Sequence, residues 1–237
     1  MESKDTTSKV EEQGLKNVKS HYFIQKFFGY MSERKYLETI RYNKSIQKRI
    51  NININNYKDY SEIYSSIEIE IIPKKNEYGK FINIDNNDYE NYYHIYLNGD
   101  KKESKSRYIN KEDKINKIIL IIDYEIKSLK KLFFECRCIE KINFLKCNRK
   151  DILDMEDMFY NCKSLKEINF NNNFNTNNVT DMSYMFHECF KLEELYVNNF
   201  YTNSLTGVRC MFYGVSKQLK EKIKKANEKI KVEAFLW

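Results

Sequence analysis

The stretch "NNVTDMSYMFHEC" (177–189) offers two thioethers, Met182 and Met185, the imidazole of His187 and the thiol of Cys189. Thiolate and thioether ligands select soft ions, and imidazole suits zinc, copper and iron. Six cysteines occur, Cys136, Cys138, Cys147, Cys162, Cys189 and Cys210, yet no C-x-x-C pair. Cys136 and Cys138, one residue apart, point differently. The competing reading is burial. Met182, Met185, Phe186 and Cys189 follow one another at steps of three, one and three, so they share one face. A free cysteine there acts as a small apolar residue. Burial is the simpler account, and no metal or other cofactor is expected.

Other catalytic patterns are missing. There is no Gly-rich phosphate loop, G-x-S-x-G elbow, H-E-x-x-H pair or kinase signature. His21, His94 and His187 lie far apart, and carboxylates such as Glu167 and Glu194 read as a solvated ladder on strands. The expectation is a protein that is not an enzyme.

The elements that would hold these residues repeat. Met-Phe occurs at 158–159, 185–186 and 211–212, with Leu132-Phe133 one step earlier, so the phenylalanines are 26, 27 and 26 residues apart. Four residues before each stand Leu129, Met155, Met182 and Val208; three after stand Cys136, Cys162, Cys189 and Val215. Agreement across several columns marks a true repeat. In each unit the first half carries apolar residues at i, i+3, i+4 and i+7, which predicts a short helix, with Asp154 and Thr180-Asp181 as its caps. The second half alternates and predicts a half-buried strand. The strand halves follow L-x-x-L-x-L-x-x-N/C: Ile139, Ile142, Phe144, Cys147; then Leu165, Ile168, Phe170, Asn173; then Leu192, Leu195, Val197 with Phe200 in the last place, a weakened turn.

"FNTNNVTDMSYMFHECFKLEELYV" resembles the BspA-like leucine-rich repeats, over about residues 129–216, under half of the chain. The resemblance implies an α/β fold, a short leucine-rich-repeat solenoid that binds a protein partner on its concave strand face. The outward positions of the strand pattern are Lys141, Asn143 and Leu145; Glu167, Asn169 and Asn171; Glu194, Tyr196 and Asn198. Tyr196 is the expected anchor, because aromatic residues dominate interface energies. Many BspA-like proteins are surface adhesins, which is one alternative role.

Upstream, residues 20–50 predict about three short helices: Ile24, Phe27, Phe28 and Met31 on one face, Leu37 and Ile40 behind a Ser32 cap, and Ile46 with Ile50. The spacing is similar to an F-box: Phe27-Phe28 stand for its I-F, Met31 for its Leu, Tyr36-Leu37 for its apolar pair, and Tyr42-Asn43-Lys44 follow. Its leading Leu-Pro is absent, with Lys19-Ser20 there instead. That likeness implies docking to a cullin-ligase adaptor through Ile24, Phe27, Phe28, Met31 and Leu37, and a role as substrate receptor.

Between these parts, "SSIEIEII" (65–72), "GKFINID" and "YYHIYLNGD" predict strands, with a tight turn at Asn98-Gly99. "KIILIID" (117–123) reads as the first buried strand of the repeat array. Leu219, Ile223, Ala226 and Ile230 mark a lysine-rich C-terminal helix that caps the last repeat. The expected organisation is a disordered tail (1–18), a helical module (19–50), a β-rich connection (51–112), repeats (113–216) and the cap (217–237).

The formal charge is +7, and residues 217–231 alone hold seven lysines against two glutamates. Such a segment could meet nucleic acid, acidic protein or anionic lipid, but it reads as a solvated helix face, so nucleic acid is not the expected partner. The charged start "MESKDTTSKVEEQG" has no apolar core of a signal peptide, and no apolar run is long enough to span a membrane. A cytoplasmic, reducing location is expected, with free thiols. Together these features predict a non-enzymatic protein-interaction scaffold.

Overall fold

In the computed structural model, residues 26, 30, 37, 40, 43–52, 65–84, 87–123, 126–170, 172, 174–197, 200–202 and 206–236 are described. Two compact units emerge, Met1–Tyr64 and Ser65–Trp237. In the first, Lys26, Leu37 and Ile40 are helical, and helix α1 spans Lys44–Arg49. Asn43 caps α1 by accepting from the Ile46 amide at 3.1 Å, which satisfies one of the orphan N–H groups of the first turn. Leu37, Ile40 and Ile46 are buried.

The second unit is built on one mixed sheet. Alternating isoleucines make β1 (Ile67–Pro73), whose odd-numbered residues Ile67, Ile69 and Ile71 are wholly buried. A two-stranded ribbon forms from β2 (Gly79–Lys80) and β4 (Tyr108–Ile109). Then come β3 (Tyr93–Leu97), β5 (Ile118–Ile122), β6 (Ile139–Lys146), β7 (Glu167–Asn169) and β8 (Glu194–Leu195). The order across the main sheet is β3-β5-β1-β6-β7-β8. The pairs from β3 to β6 are antiparallel, while β6-β7 and β7-β8 are parallel.

This corrects the expected α/β solenoid. The β region and the repeats share a single six-stranded sheet, because β1 pairs along β6 and joins the two. "KIILIID" supplies β5, which lies between β1 and β3 and pairs with no repeat strand. The helix expected in the first half of each repeat does not form either. Those segments are successive turns in which residues two before and two after each phenylalanine have positive φ: Lys131 and Glu135, Asp157 and Asn161, Tyr184 and Glu188, Cys210 and Gly214.

Two left-handed residues per turn rule out an i→i−4 ladder, so alternate amides donate to the next unit instead. Phe133 N–H reaches Met158 O at 2.9 Å, Phe159 N–H reaches Met185 O at 2.9 Å, and Phe186 N–H reaches Met211 O at 3.0 Å. Asp154 and Asp181 do cap these turns, accepting from the amides of Glu156 (2.9 Å) and Ser183 (2.7 Å) two residues on.

The repeat columns become stacks inside the core. Phe133, Phe159, Phe186, Phe212 and Phe235 lie ring on ring, with centroids 5.4, 5.5, 5.4 and 5.0 Å apart. Each such pair contributes about 0.5–1.5 kcal/mol beyond its buried area. Phe200, in the place of the repeat's Asn or Cys, is buried and stacks on Phe174 at 5.5 Å, so apolar filling replaces the hydrogen-bonding turn residue.

Arg149 is 1% exposed and forms a buried clamp: Nε and Nη2 meet the Asp151 carboxylate (2.8 and 2.9 Å), Nη1 donates to Asp123 O (2.9 Å) and Nη2 to Ile126 O. It ties the segment after β6 to the end of β5, the charge being offset by its carboxylate and carbonyl partners.

Beyond the last repeat, Ser216 caps helix α2 (Lys217–Ala226) through the Leu219 amide at 3.2 Å. Leu219 and Ile223 are buried, but the helix stops at Ala226, which is exposed. Ile230 is buried after the helix has ended. A short 3-10 turn, Val232–Phe235, follows and accepts the Phe212 amide at Ala234 O (3.1 Å).

Candidate binding face on the sheet

The residues between the buried positions of each strand point away from the core and align in rows. One row runs Tyr96, Ile119, Glu70, Asn143, Asn169 across five strands. A second runs Ile72, Lys141, Glu167, Glu194. A third runs His94, Ile121, Glu68, Lys146. Tyr196 lies one step beyond the Ile168–Leu195 pair and so continues the first row.

Charge on this face is largely matched. Lys141 Nζ meets Glu167 Oε1 at 2.6 Å, and that hydrogen bond holds the Lys141 ammonium above its ordinary pKa. Asn143 Nδ2 donates to Glu70 Oε2 at 2.8 Å, while Lys117 Nζ stands 3.7 Å from Glu70 Oε1. Lys146 lies 3.5 Å from Glu68. The Tyr196 hydroxyl donates to Glu194 Oε2 at 3.2 Å, which keeps the phenol protonated by raising its pKa. Exposed pairs of this kind contribute little to stability. They join side chains of neighbouring strands across the face.

Apolar groups interrupt these rows. Leu145 is 51% exposed and Tyr196 50% exposed, and Ile72, Ile119 and Ile121 are half-buried. An aromatic ring with a polar tip beside a carboxylate, on a face that also carries aliphatic side chains, suits a protein surface of mixed character.

Of the expected face residues, Lys141, Asn143, Leu145, Glu167, Asn169, Glu194 and Tyr196 fall on this one surface, and Asn171 and Asn198 lie outside the described residues. Ile24, Phe27, Phe28 and Met31 also lie outside them, while Leu37 is helical and buried. Sequence reasoning missed the upstream half of the face, Glu68, Glu70, Ile72, Tyr96, Ile119 and Ile121. The strict alternation of "IEIEII" held the signal for Glu68 and Glu70, but not the pairing of β1 with β6.

The cysteine and methionine cluster is a packing face. Met182, Met185, Phe186 and Cys189 are all buried. Cys162 Sγ lies 3.0 Å from Phe133 O and Cys189 Sγ 3.1 Å from Phe159 O, so each thiol points to the preceding unit. Burial pushes the Cys147 and Cys189 thiols up to about 12 and Cys138 to about 11. Thiols held protonated in this way are poor nucleophiles and poor metal ligands. Among the described residues no three His, Cys, Asp or Glu side chains are grouped to hold a metal ion. No described helix is long and apolar enough to cross a membrane.

Outside the buried phenylalanine stack runs a second row, Phe134, Tyr160, His187 and Tyr213, with centroids 5.0, 4.8 and 4.7 Å apart. His187 is thus a ring between rings. Burial lowers its pKa, and its Nδ1 is buried without a hydrogen-bond partner.

Residues 127–234 match a protein family described as "Mycoplasma protein of unknown function, DUF285". No curated protein and no solved structure matches the chain.

Proposed function

We propose that the chain is a non-enzymatic interaction protein that binds a protein partner on the face of the six-stranded sheet that carries Lys141, Glu167 and Tyr196. At the level of sequence, we read its 26- and 27-residue units as related to BspA-like repeats. One observation carries the functional reading. Half-exposed Tyr196 and Leu145 stand among rows of side chains that meet in Lys141–Glu167, Asn143–Glu70 and Tyr196–Glu194 contacts. A polar-rimmed surface with an aromatic anchor has the make-up of a protein interface. Glu194, which Tyr196 engages, is placed to accept a donor or cation from the partner.

The test is photo-crosslinking from a benzoylphenylalanine placed at Tyr196, with the same probe at exposed Lys163 as the control position. A discrete adduct from Tyr196, lost on combining the probe with Leu145→Asp, is expected. Adducts of equal yield from both positions, or an adduct indifferent to Leu145→Asp, would refute the reading. In a reconstituted pair, Tyr196→Ala is expected to weaken binding by about 2 kcal/mol, the lower bound of a hot-spot residue.

A further inference from the structure

The C-terminal end of the second unit carries a charge and shape that the sheet face does not use. Helix α2 turns Leu219 and Ile223 inward, leaving Lys217, Lys222, Lys224 and Lys225 exposed. Glu221 is the one carboxylate within α2, and it lies 3.9 Å from Lys224. At a rotation of about 100° per residue, Lys217, Glu221 and Lys225 form the crest opposite the buried pair.

The lysines are not alone. Lys224 Nζ lies 4.9 Å over the ring of Phe235, which itself stacks on Phe212, so the terminal 3-10 turn is packed against this flank of the helix. On that turn Ala234 faces the core, but Val232 is 68% exposed and Leu236 52% exposed. Val232 and Leu236 thus stand within three residues of Phe235, the ring that Lys224 covers, so exposed aliphatic groups and ammonium groups occur together at this end of the unit. Phosphate-backbone binding would use the lysines and leave Val232 and Leu236 in water. An anionic bilayer surface uses both: headgroup phosphates meet the ammonium groups while the aliphatic tips enter the headgroup–acyl boundary.

We propose that the α2 crest together with Val232 and Leu236 is a peripheral docking surface for anionic lipid bilayers. Contact is reversible. Lysines supply long-range attraction that salt screens, and the two aliphatic side chains supply the salt-resistant part. The sheet face plays no part in this contact, so the proposal is independent of the partner-binding reading above.

The experiment is sedimentation of the full chain with vesicles, either phosphatidylcholine alone or equimolar phosphatidylcholine and phosphatidylglycerol. Binding to the mixed vesicles and not to phosphatidylcholine alone is expected. Each lysine near the surface contributes about five-fold in affinity, so Lys217→Glu with Lys225→Glu is expected to lose at least about 25-fold. Val232→Ser with Leu236→Ser is expected to lose about ten-fold and to leave the remaining binding more salt-sensitive. All four positions are exposed, and circular dichroism checks that each variant folds as wild type. Equal sedimentation with both vesicle types, or mixed-vesicle binding that ignores the lysine reversals, overturns the proposal. So does a single-stranded oligonucleotide bound as tightly as the mixed vesicles with no loss from the serine variants, which would assign the crest to nucleic acid.

Discussion

Gly214→Ala tests the claim that stacked left-handed turns, rather than helices, build the repeats. Gly214 is the last member of the column Glu135, Asn161, Glu188, Gly214, at φ +81°. An added Cβ would stand 2.9 Å from Phe190 Cε1 and 3.1 and 3.3 Å from Cα and N of Glu188, one unit away. Phe190 is half-exposed and can swing aside, but the Glu188 backbone is held by its 2.9 Å hydrogen bond to Tyr213 O. Gly99 is the internal control: its φ is +84° and a Cβ there meets nothing within 4 Å. Gly99→Ala therefore reports the left-handed penalty alone, about 1 kcal/mol. Gly214→Ala adds backbone crowding, for a total of about 2–4 kcal/mol by analogy with overpacked cores. Urea unfolding followed by near-ultraviolet circular dichroism, a signal dominated by the packed aromatic stacks, gives both shifts. Adding Phe190→Ala to Gly214→Ala should recover only part of the loss. Equal midpoint shifts for Gly99→Ala and Gly214→Ala, or full rescue by Phe190→Ala, would show that the units are not pressed backbone to backbone and would defeat the argument.

Three further outcomes follow from the same packing. In native protein at mildly alkaline pH, iodoacetamide is expected to modify Cys210, the partly exposed thiol, and to spare Cys136, Cys138, Cys147, Cys162 and Cys189 until urea is added; rapid labelling of Cys189 in the native state would contradict its burial. Burial holds His187 below its ordinary 6.5, so the unfolded chain binds the extra proton first and stability must fall as pH drops below 6.5, levelling off below the folded value. His187→Tyr, which matches Tyr160 and Tyr213 and removes the unpartnered Nδ1, should flatten that fall below pH 6.5 and raise stability by about 1 kcal/mol; an unchanged pH slope would acquit His187. Arg149→Ala should cost about 3–5 kcal/mol by leaving Asp151 and two carbonyls without their clamp, whereas Lys217→Ala should cost almost nothing, and similar thermal shifts for the two would disprove the clamp.

Much of the core could be read directly. Every described member of the strand columns from Ile139 to Phe200 is buried, and so are the phenylalanine and cysteine columns. The turn at Asn98-Gly99 was also legible, since both residues tolerate the positive φ they adopt. The backbone of the repeat's first half was not. Apolar residues at i, i+3, i+4 and i+7 mark one buried side of a helix and equally of a stacked double turn, and both bury Met155, Met158, Phe159 and Cys162. Asp157, Asn161 and Gly214 hint at left-handed backbone; Lys131, Glu135, Tyr184, Glu188 and Cys210 carry no such signal. Arg149 was invisible for a similar reason, because in "CNRKD" it reads as one more charge in a loop.

The candidate face divides in the same way. Alternation placed Lys141, Glu167, Glu194 and Tyr196 on the outer side of their strands, and their spacing of one repeat brought them side by side. That Glu70 meets Asn143, and that Ile72 opens the row ending at Glu194, depends on antiparallel pairing between segments more than 60 residues apart in sequence. Which side chains are apolar, and at what period, is a local property that solvent exclusion reads off the chain directly. Which amide finds which carbonyl is not local. Here the left-handed residues turn those amides away from their own segment, so the choice between an α/β solenoid and one mixed sheet was made only when distant strands paired.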